Sequence, residues 1–284
     1  MKLSTILRRM RKSKMFMIGL ILLVVMILLC ATAKFWVPCD PEVGSLLDRH
    51  LKPDWFAKGL DGHPLGTDSL GRDILSRLFV GGWVSLKISF VVTLISMFLG
   101  ALVGLVCGYY GGVVDMILMR ICDVLAAIPQ LLMAICIVAV LGSGMGILIF
   151  TLTVTGWVNT ARLVRSAVLG MKNKEFVSAS RVLGANTNRI LWKELFPNTI
   201  TQLMIAASGH FGGTILVETS LSYLGMGVAP PTPSWGNMIS DGRAYLSSAP
   251  WVVIFPGIAL ALTVLGFNFL GDGIRDVFDP KNID

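Results

Sequence analysis

The stretch 88–114 reads ISFVVTLISMFLGALVGLVCGYYGGVV, 27 residues without Asp, Glu, Lys or Arg. A helix needs about 20 apolar residues to cross the hydrocarbon layer of a bilayer, so this run is long enough to span one. Four more charge-free runs follow the same rule, at 15–33, 124–161, 195–217 and 244–271. The second of these, with 38 residues, is too long for one span and divides at Gly142-Ser143-Gly144-Met145-Gly146, a turn sequence. The predicted architecture is an all-α integral membrane protein with six transmembrane helices, near 15–37, 86–108, 117–141, 147–166, 198–220 and 250–271. Composition agrees: 54% of residues are hydrophobic and 14% charged, where a soluble domain carries about 25% charged residues.

Lys and Arg in the loops orient the bundle. Segment 1–14 holds six basic residues and no acid, and 162–194 holds seven basic residues against Glu175 and Glu194. The loop 38–83 between the first two spans holds five basic and seven acidic residues. Alternating sides through six spans places both basic segments, and both termini, in the cytoplasm. Thirteen of the 24 Lys and Arg lie at 1–14 and 162–193, so the net charge of +7 reflects membrane topology rather than a nucleic-acid face. Ala31-Thr32-Ala33 matches a signal-peptide cleavage pattern, but its apolar run exceeds the ~7–15 residues of such segments, and we expect an uncleaved anchor.

Gly100, Gly104 and Gly108 form a small-residue ridge on the second span, where another helix can approach closely. Pro129 and Pro256 should bend the third and sixth spans. The five cysteines form no CxxC pair, and four sit in apolar runs as small hydrophobes. No HExxH or phosphate-binding GxxxxGK[ST] occurs, and the three histidines are scattered. An intramembrane enzyme therefore lacks its residues, and no cofactor or metal site is expected.

Between the fourth and fifth spans the chain reads EFVSASRVLGANTNRILWKELFP at 175–197. Phe176, Val177, Ala179, Val182 and Leu183 recur at helical spacing, and Gly184 reads as a helix stop. Asn186 or Thr187 can cap a second short helix running to Pro197, which would open the fifth span. A bare connector needs no such pattern; two short amphipathic helices facing the cytoplasm suit the docking of a soluble partner.

This segment resembles the cytoplasmic EAA loop of permease subunits in ATP-binding-cassette importers: Gly184 and Pro197 stand thirteen apart, and Ala179 matches the first alanine. Ser178, Ser180, Glu194 and Phe196 depart from the general motif. The run Phe176-Val177-Ser178-Ala179-Ser180-Arg181, with Gly184-Ala185, is similar instead to the peptide and nickel branch. His63-Pro64-Leu65-Gly66-Thr67-Asp68, Leu70-Gly71-Arg72-Asp73 and Ser76-Arg77 resemble the outer-loop signature of the second permease subunit of oligopeptide, dipeptide and nickel importers. The segments at 220–227, 230–236 and 267–276 resemble that branch in the same order.

The resemblance implies a type I importer permease in the bacterial inner membrane, importing peptides, with a nickel, metal-chelate or glutathione-like solute as the alternative. It implies a sister permease, two ATPase subunits and an extracytoplasmic solute-binding protein as partners, besides membrane lipid, and no nucleic acid. It divides the chain into 1–83 (tail, first helix, outer loop) and a five-helix core at 84–284 with a coupling loop at 166–197. Within that loop it assigns ATPase coupling to Glu175, Phe176, Ala179, Arg181, Gly184, Ala185 and Pro197. Two candidates for the pathway lie on the fifth span, His210 and Glu218, for an ionisable group at membrane depth marks a functional site. Alternatively Glu218 pairs with Arg243 or caps a broken helix near the outer face, and His210 is a packing residue. Arg120 and Asp123 are expected to pair with each other. Pro231, Trp235 and Arg243 are placed in an outer loop or gate.

The topology predicts that a cysteine introduced at Ser45 reacts with an impermeant thiol reagent from outside intact cells, and that cysteines introduced at Ser13 and Asn186 react only after the inner face is opened. Labelling at position 186 from outside would invert the orientation.

Overall fold

The computed structural model describes residues 3–59 and 62–278; residues 279–284 of the C-terminal tail lie outside it. Among the described residues twelve helices follow one another: α1 Leu3–Lys12, α2 Lys14–Trp36, α3 Ile74–Tyr110, α4 Gly112–Ala127, α5 Gln130–Leu141, α6 Met145–Gly156, α7 Val158–Met171, α8 Glu175–Val182, α9 Thr187–Arg189, α10 Phe196–Tyr223, α11 Trp235–Gly242 and α12 Trp251–Phe278. Among the same residues there is no β-strand beyond one isolated bridge between Thr67 and Asp73. Five helices are long and apolar enough to span a membrane: α2, α3, α6 with α7 (Met145–Met171), α9 with α10 (Thr187–Tyr223), and α12. The pair α4 and α5 forms the sixth unit, bent by 87°.

Two prolines behave differently, for identifiable reasons. At Pro129 the helix breaks. The proline ring disfavours helical backbone in the residue before it, and Ile128 is extended, with φ −102° and ψ 129°. The expected third span is therefore two half-helices meeting near a right angle. At Pro197 the helix continues, because a π-helical turn at Ile190–Leu195 immediately precedes it. Such a turn shifts the carbonyl register just where a proline removes its own donor and crowds the preceding turn. The second short helix expected to end at Pro197 is instead the beginning of a 37-residue helix, Thr187–Tyr223. α12 likewise runs on through Pro256.

The second span also begins earlier than the apolar run does. α3 has 37 residues and starts at Ile74, where the Asp73 carboxylate accepts from the Ser76 N–H at 2.7 Å. At 1.5 Å per residue it is about 55 Å long, so its outer turns stand clear of the hydrocarbon and carry the outer loop.

α3 is the centre of the bundle and packs against α2, α6, α7 and α10. Its glycine ridge faces α7 of the same chain. A Cβ built on Gly104 would lie 2.6 Å from the Ala161 carbonyl and 2.7 Å from the Val164 Cβ, while Gly100 meets Thr160 and Gly108 meets Val168. α2 approaches α12 equally closely, Gly19 facing Gly266 and Leu270. Lipid tails are as apolar as leucine, so close backbone approach and dispersion hold such helices together. Two ion pairs secure α4 to α7 at the cytoplasmic end. Arg165 grips Asp115 with two N–H donors, Nη2 at 2.6 Å. Arg162 donates to Asp123 at 2.8 Å, whereas the expected Arg120–Asp123 pair is exposed and stretched to 3.9 Å.

Gly104→Leu should therefore overfill the α3–α7 contact and cost at least about 1–3 kcal/mol, lowering the melting temperature of the solubilised protein. Gly170→Ala, on the same α7 but with nothing within 4 Å of its Cβ, should leave it unchanged or slightly higher.

Candidate functional site

On the cytoplasmic side, α8 is fixed along one face only. Val177 is fully buried among Leu105, Val164, Val168, Ile190 and Leu195. Ser180 donates to the Glu194 carboxylate at 3.1 Å, and the Arg181 guanidinium lies 5.6 Å from the centre of the Tyr109 ring. The helix stops in a left-handed turn: Gly184 has φ +81°, its N–H reaches Arg181 O, and the Ala185 N–H reaches Ser180 O, both at 3.0 Å. Asn186 then caps the next helix by accepting from the Arg189 N–H at 2.9 Å.

The other face of α8 is open. Glu175, Phe176 and Ala179 are exposed there, as is Pro197 further on; Arg181 is exposed at the edge beside Tyr109, and Ala185 is half-buried. Val182 and Leu183 are 87% and 86% exposed. Helical spacing had placed these two with Val177 on one apolar face, but α8 has eight residues and turns away before that stripe reaches the bundle. The exposed apolar end adjoins a shallow groove of about 400 Å³ between Gly184, Asn186, Arg189 and Trp192. Neighbouring exposed apolar side chains beside a polar rim mark an interaction surface. Trp192 is the residue of this surface that spacing alone did not single out.

Within the membrane, His210 belongs to a closed set of hydrogen bonds. A carbonyl only accepts, so Nε2–H donates to Gly156 O at 3.1 Å, at the point where α6 gives way to α7. The hydroxyls of Thr93 and Thr214 stand 3.2 Å from Nδ1. Next to this histidine opens a groove of about 410 Å³ whose polar lining comes from Gln130, Thr155, Asn159, Thr160, Thr214 and His210 itself.

Glu218 stands roughly two turns further along α10, in a separate group. It is fully buried and accepts from Ser222 at 2.8 Å and from Thr219 at 3.5 Å. Arg243 does not meet it; that guanidinium lies 5.7 Å from the centre of the Tyr223 ring.

On the outer side, His63, Asp68, Arg72, Asp73 and Arg77 of loop 38–83 come together. Arg72 donates to Asp68 at 2.7 Å and to Asp241 of α11 at 3.2 Å; Arg77 stands 3.5 Å from Asp68 and 3.7 Å from Asp241. Arg77 also donates to Pro41 O at 3.0 Å, and His63 Nδ1 lies 3.0 Å from Asp73. Both guanidiniums and Asp68 are buried. The signature residues thus tie the outer loop, the start of α3 and α11 into one block. The stretch 230–236 is only partly a loop: Ser234 caps α11 by accepting from the Asn237 N–H at 3.2 Å, and Trp235 and Gly236 are helical. Trp235 is fully buried and donates to Leu78 O at 2.9 Å, whereas Pro231 and Arg243 are exposed.

Comparison with known proteins places this arrangement. Residues 100–284 match the family of binding-protein-dependent transport system inner membrane components, and residues 3–53 match the N-terminal transmembrane domain of oligopeptide transport permease C. The chain belongs to this family of inner-membrane permeases. It is 41% identical to the oligopeptide transport system permease protein OppC of Bacillus subtilis (strain 168), over 96% of this chain and 88% of that protein. It is 40% identical to the dipeptide permease DppC of the same organism, over 96% and 84%. It is 41% identical to the glutathione transport system permease GsiD of Pectobacterium atrosepticum, over 90% and 84%. An inward-facing structure of the MetNI methionine ABC transporter superposes with a TM-score of 0.59 at 23% identity, covering 72% of this chain and 97% of that one; this likeness concerns the fold. The chain is a multi-pass permease of an ATP-driven importer rather than an enzyme, and such permeases work with ATPase and further permease partners.

In this permease, removing Arg77 leaves the buried Asp68 with Arg72 alone and the Pro41 carbonyl without its donor. Arg77→Ala should cost about 1–3 kcal/mol and speed tryptic cleavage of the outer loop in right-side-out vesicles. Arg243→Ala, at an exposed position, should stay within ~0.5 kcal/mol of the native protein.

Proposed function

We propose that this chain imports peptides as half of a heterodimer with a sister permease, driven by two ATPase subunits that dock on α8 and its flanking turn. An extracytoplasmic binding protein delivers the solute from the outer side. The observation that carries the reading is the exposed apolar end of α8, Val182 and Leu183, held on a helix whose opposite face is anchored in the bundle. The matched relatives support peptides as the solute, since they are named for oligopeptides, dipeptides and glutathione, and glutathione is itself a small peptide.

The anchoring explains how force would pass inward. Val177 sits in one apolar cluster with residues of α3, of α7 and of the helix Thr187–Tyr223. A docked ATPase that closes on ATP pushes α8, and α8 cannot shift without moving those three spans. Nucleotide binding then biases a two-state equilibrium between inward-open and outward-open arrangements. Phe176, Ala179 and Arg181 form the exposed contact face, and Glu175 opens α8. Gly184 and Ala185 make the turn, and Pro197 marks where the π turn meets the long helix.

The test uses the assembled transporter. Leu183→Asp places a charge on the docking surface without touching the bundle. Uptake should fall by more than tenfold and ATPase co-purification should weaken, at matched permease levels. Gly184→Val strains the left-handed turn by roughly 1–2 kcal/mol and should do the same, whereas Gly184→Asn, better tolerated at positive φ, should retain most activity. Full uptake with the ATPase still bound in Leu183→Asp would refute docking at α8.

A further inference from the structure

The groove beside His210 has a use that the coupling surface does not explain. Its polar side chains lie at mid-membrane depth: Asn159 stands halfway along Met145–Met171, His210 halfway along Phe196–Tyr223, and Gln130 at the break in the middle of the α4–α5 pair. Gln130 and Asn159 are exposed on the surface of this chain. An amide facing hydrocarbon finds no partner, at a cost of several kcal/mol, so this face is turned to water or to polar groups. Elsewhere on the same pair of half-helices the exposed side chains are mainly apolar, among them Ile117, Ile121 and Val140, apart from Arg120 and Asp123 on α4.

The chemistry of the lining narrows what the groove receives. His210 has both ring nitrogens engaged, by Gly156 O on one side and by the Thr93 and Thr214 hydroxyls on the other, so it forms a fixed wall and offers no free lone pair to a metal. Gln130 donates one N–H to the Thr155 hydroxyl at 3.3 Å, which leaves its carbonyl oxygen free to accept. The Asn159 amide makes no hydrogen bond to the described residues and offers both a donor and an acceptor, the same pair that a peptide bond presents. No Asp, Glu, Lys or Arg lines the groove. At about 410 Å³ it falls within the ~300–1,000 Å³ of small-ligand sites.

We propose that this groove is the solute-contacting face of the chain, and that Asn159 and Gln130 hold a peptide in transit through its backbone amides, without selecting for side-chain charge. The proposal rests on the importer reading above and assigns the pathway to a neutral amide pair. Glu218, buried among hydroxyls on the outer half of α10, takes no part in it.

The test uses the complete transporter, with its sister permease, ATPases and binding protein, in proteoliposomes, with Cys39 and Cys136 replaced by serine. Asn159→Cys should react with an impermeant, positively charged methanethiosulfonate while nucleotide is absent, and should lose that reactivity when ATP and vanadate trap the complex. Asn159→Leu should lower uptake of trialanine about tenfold, and Asn159→Asp should raise the uptake ratio of trilysine to triglutamate about tenfold over the native ratio. If the Asn159→Cys thiol never reacts and the leucine variant transports normally, the face is covered by the sister subunit or by lipid, and the proposal falls. If labelling follows the nucleotide but the aspartate variant keeps the native charge ratio, amide contact with the peptide is refuted. A native complex that takes up a non-peptide solute and no peptide would overturn the peptide reading here and above, while nucleotide-dependent labelling would still mark the groove as the pathway.

Discussion

The close backbone approach of α3 to α7 is the contact on which the rest of this permease depends. Three glycines let α3 lie directly against Trp157, Ala161 and Arg165, with no space for even a methyl group at Gly104. Because there is no hydrophobic gain for helices that exchange lipid for one another, this intimacy supplies the dispersion that fixes their relative position. Both the membrane groove and the cytoplasmic surface are then set by it. Asn159 and Thr160 stand on α7 where it passes α3, and α8 begins shortly after α7 ends.

Several polar groups elsewhere in the bundle find partners within the protein, as hydrocarbon surroundings favour. His210 satisfies the carbonyl at the α6–α7 interruption, and Glu218 gathers hydroxyls from its own helix. Arg162 and Arg165 reach the acids of α4. The two proline sites show the same preference from the backbone side. At Pro197 a π turn re-registers the carbonyls and the helix survives. At Pro129 the chain breaks, and the amide of Gln130 lies beside the break. A bent half-helix pair bordering an open polar groove is a familiar arrangement in transport proteins, because irregular backbone at membrane depth is tolerated where it lines a cavity.

The outer block has a different physical basis. Arg72, Arg77, Asp68 and Asp241 form an alternating set of charges, three of them buried, above the apolar part of α3. Such a set adds little net stability compared with an apolar substitute, but each member is costly to lose once its partners are buried. Its effect is positional. It sets the loop 38–73 and α11 in one register on the outer end of the second span, and Trp235 locks that register by filling the space over Gly82.

The sequence alone was sufficient for the class of the fold and the family. Charge-free run length and the order of short motifs are local properties, and bilayer thickness converts the first directly into spans. It was also sufficient for the helix stop at Gly184, since a left-handed turn is written in the residue that adopts it. Sequence reasoning did not reach which helix the glycine ridge meets, that Asp123 prefers Arg162 to its neighbour Arg120, or that Val182 and Leu183 face outward although Val177 faces in. Nor did it predict that one proline breaks its helix while another is absorbed by a π turn. Each of these turns on which surfaces lie opposite one another in space, and that is settled by packing among segments far apart in the chain, where spacing along the sequence carries no information.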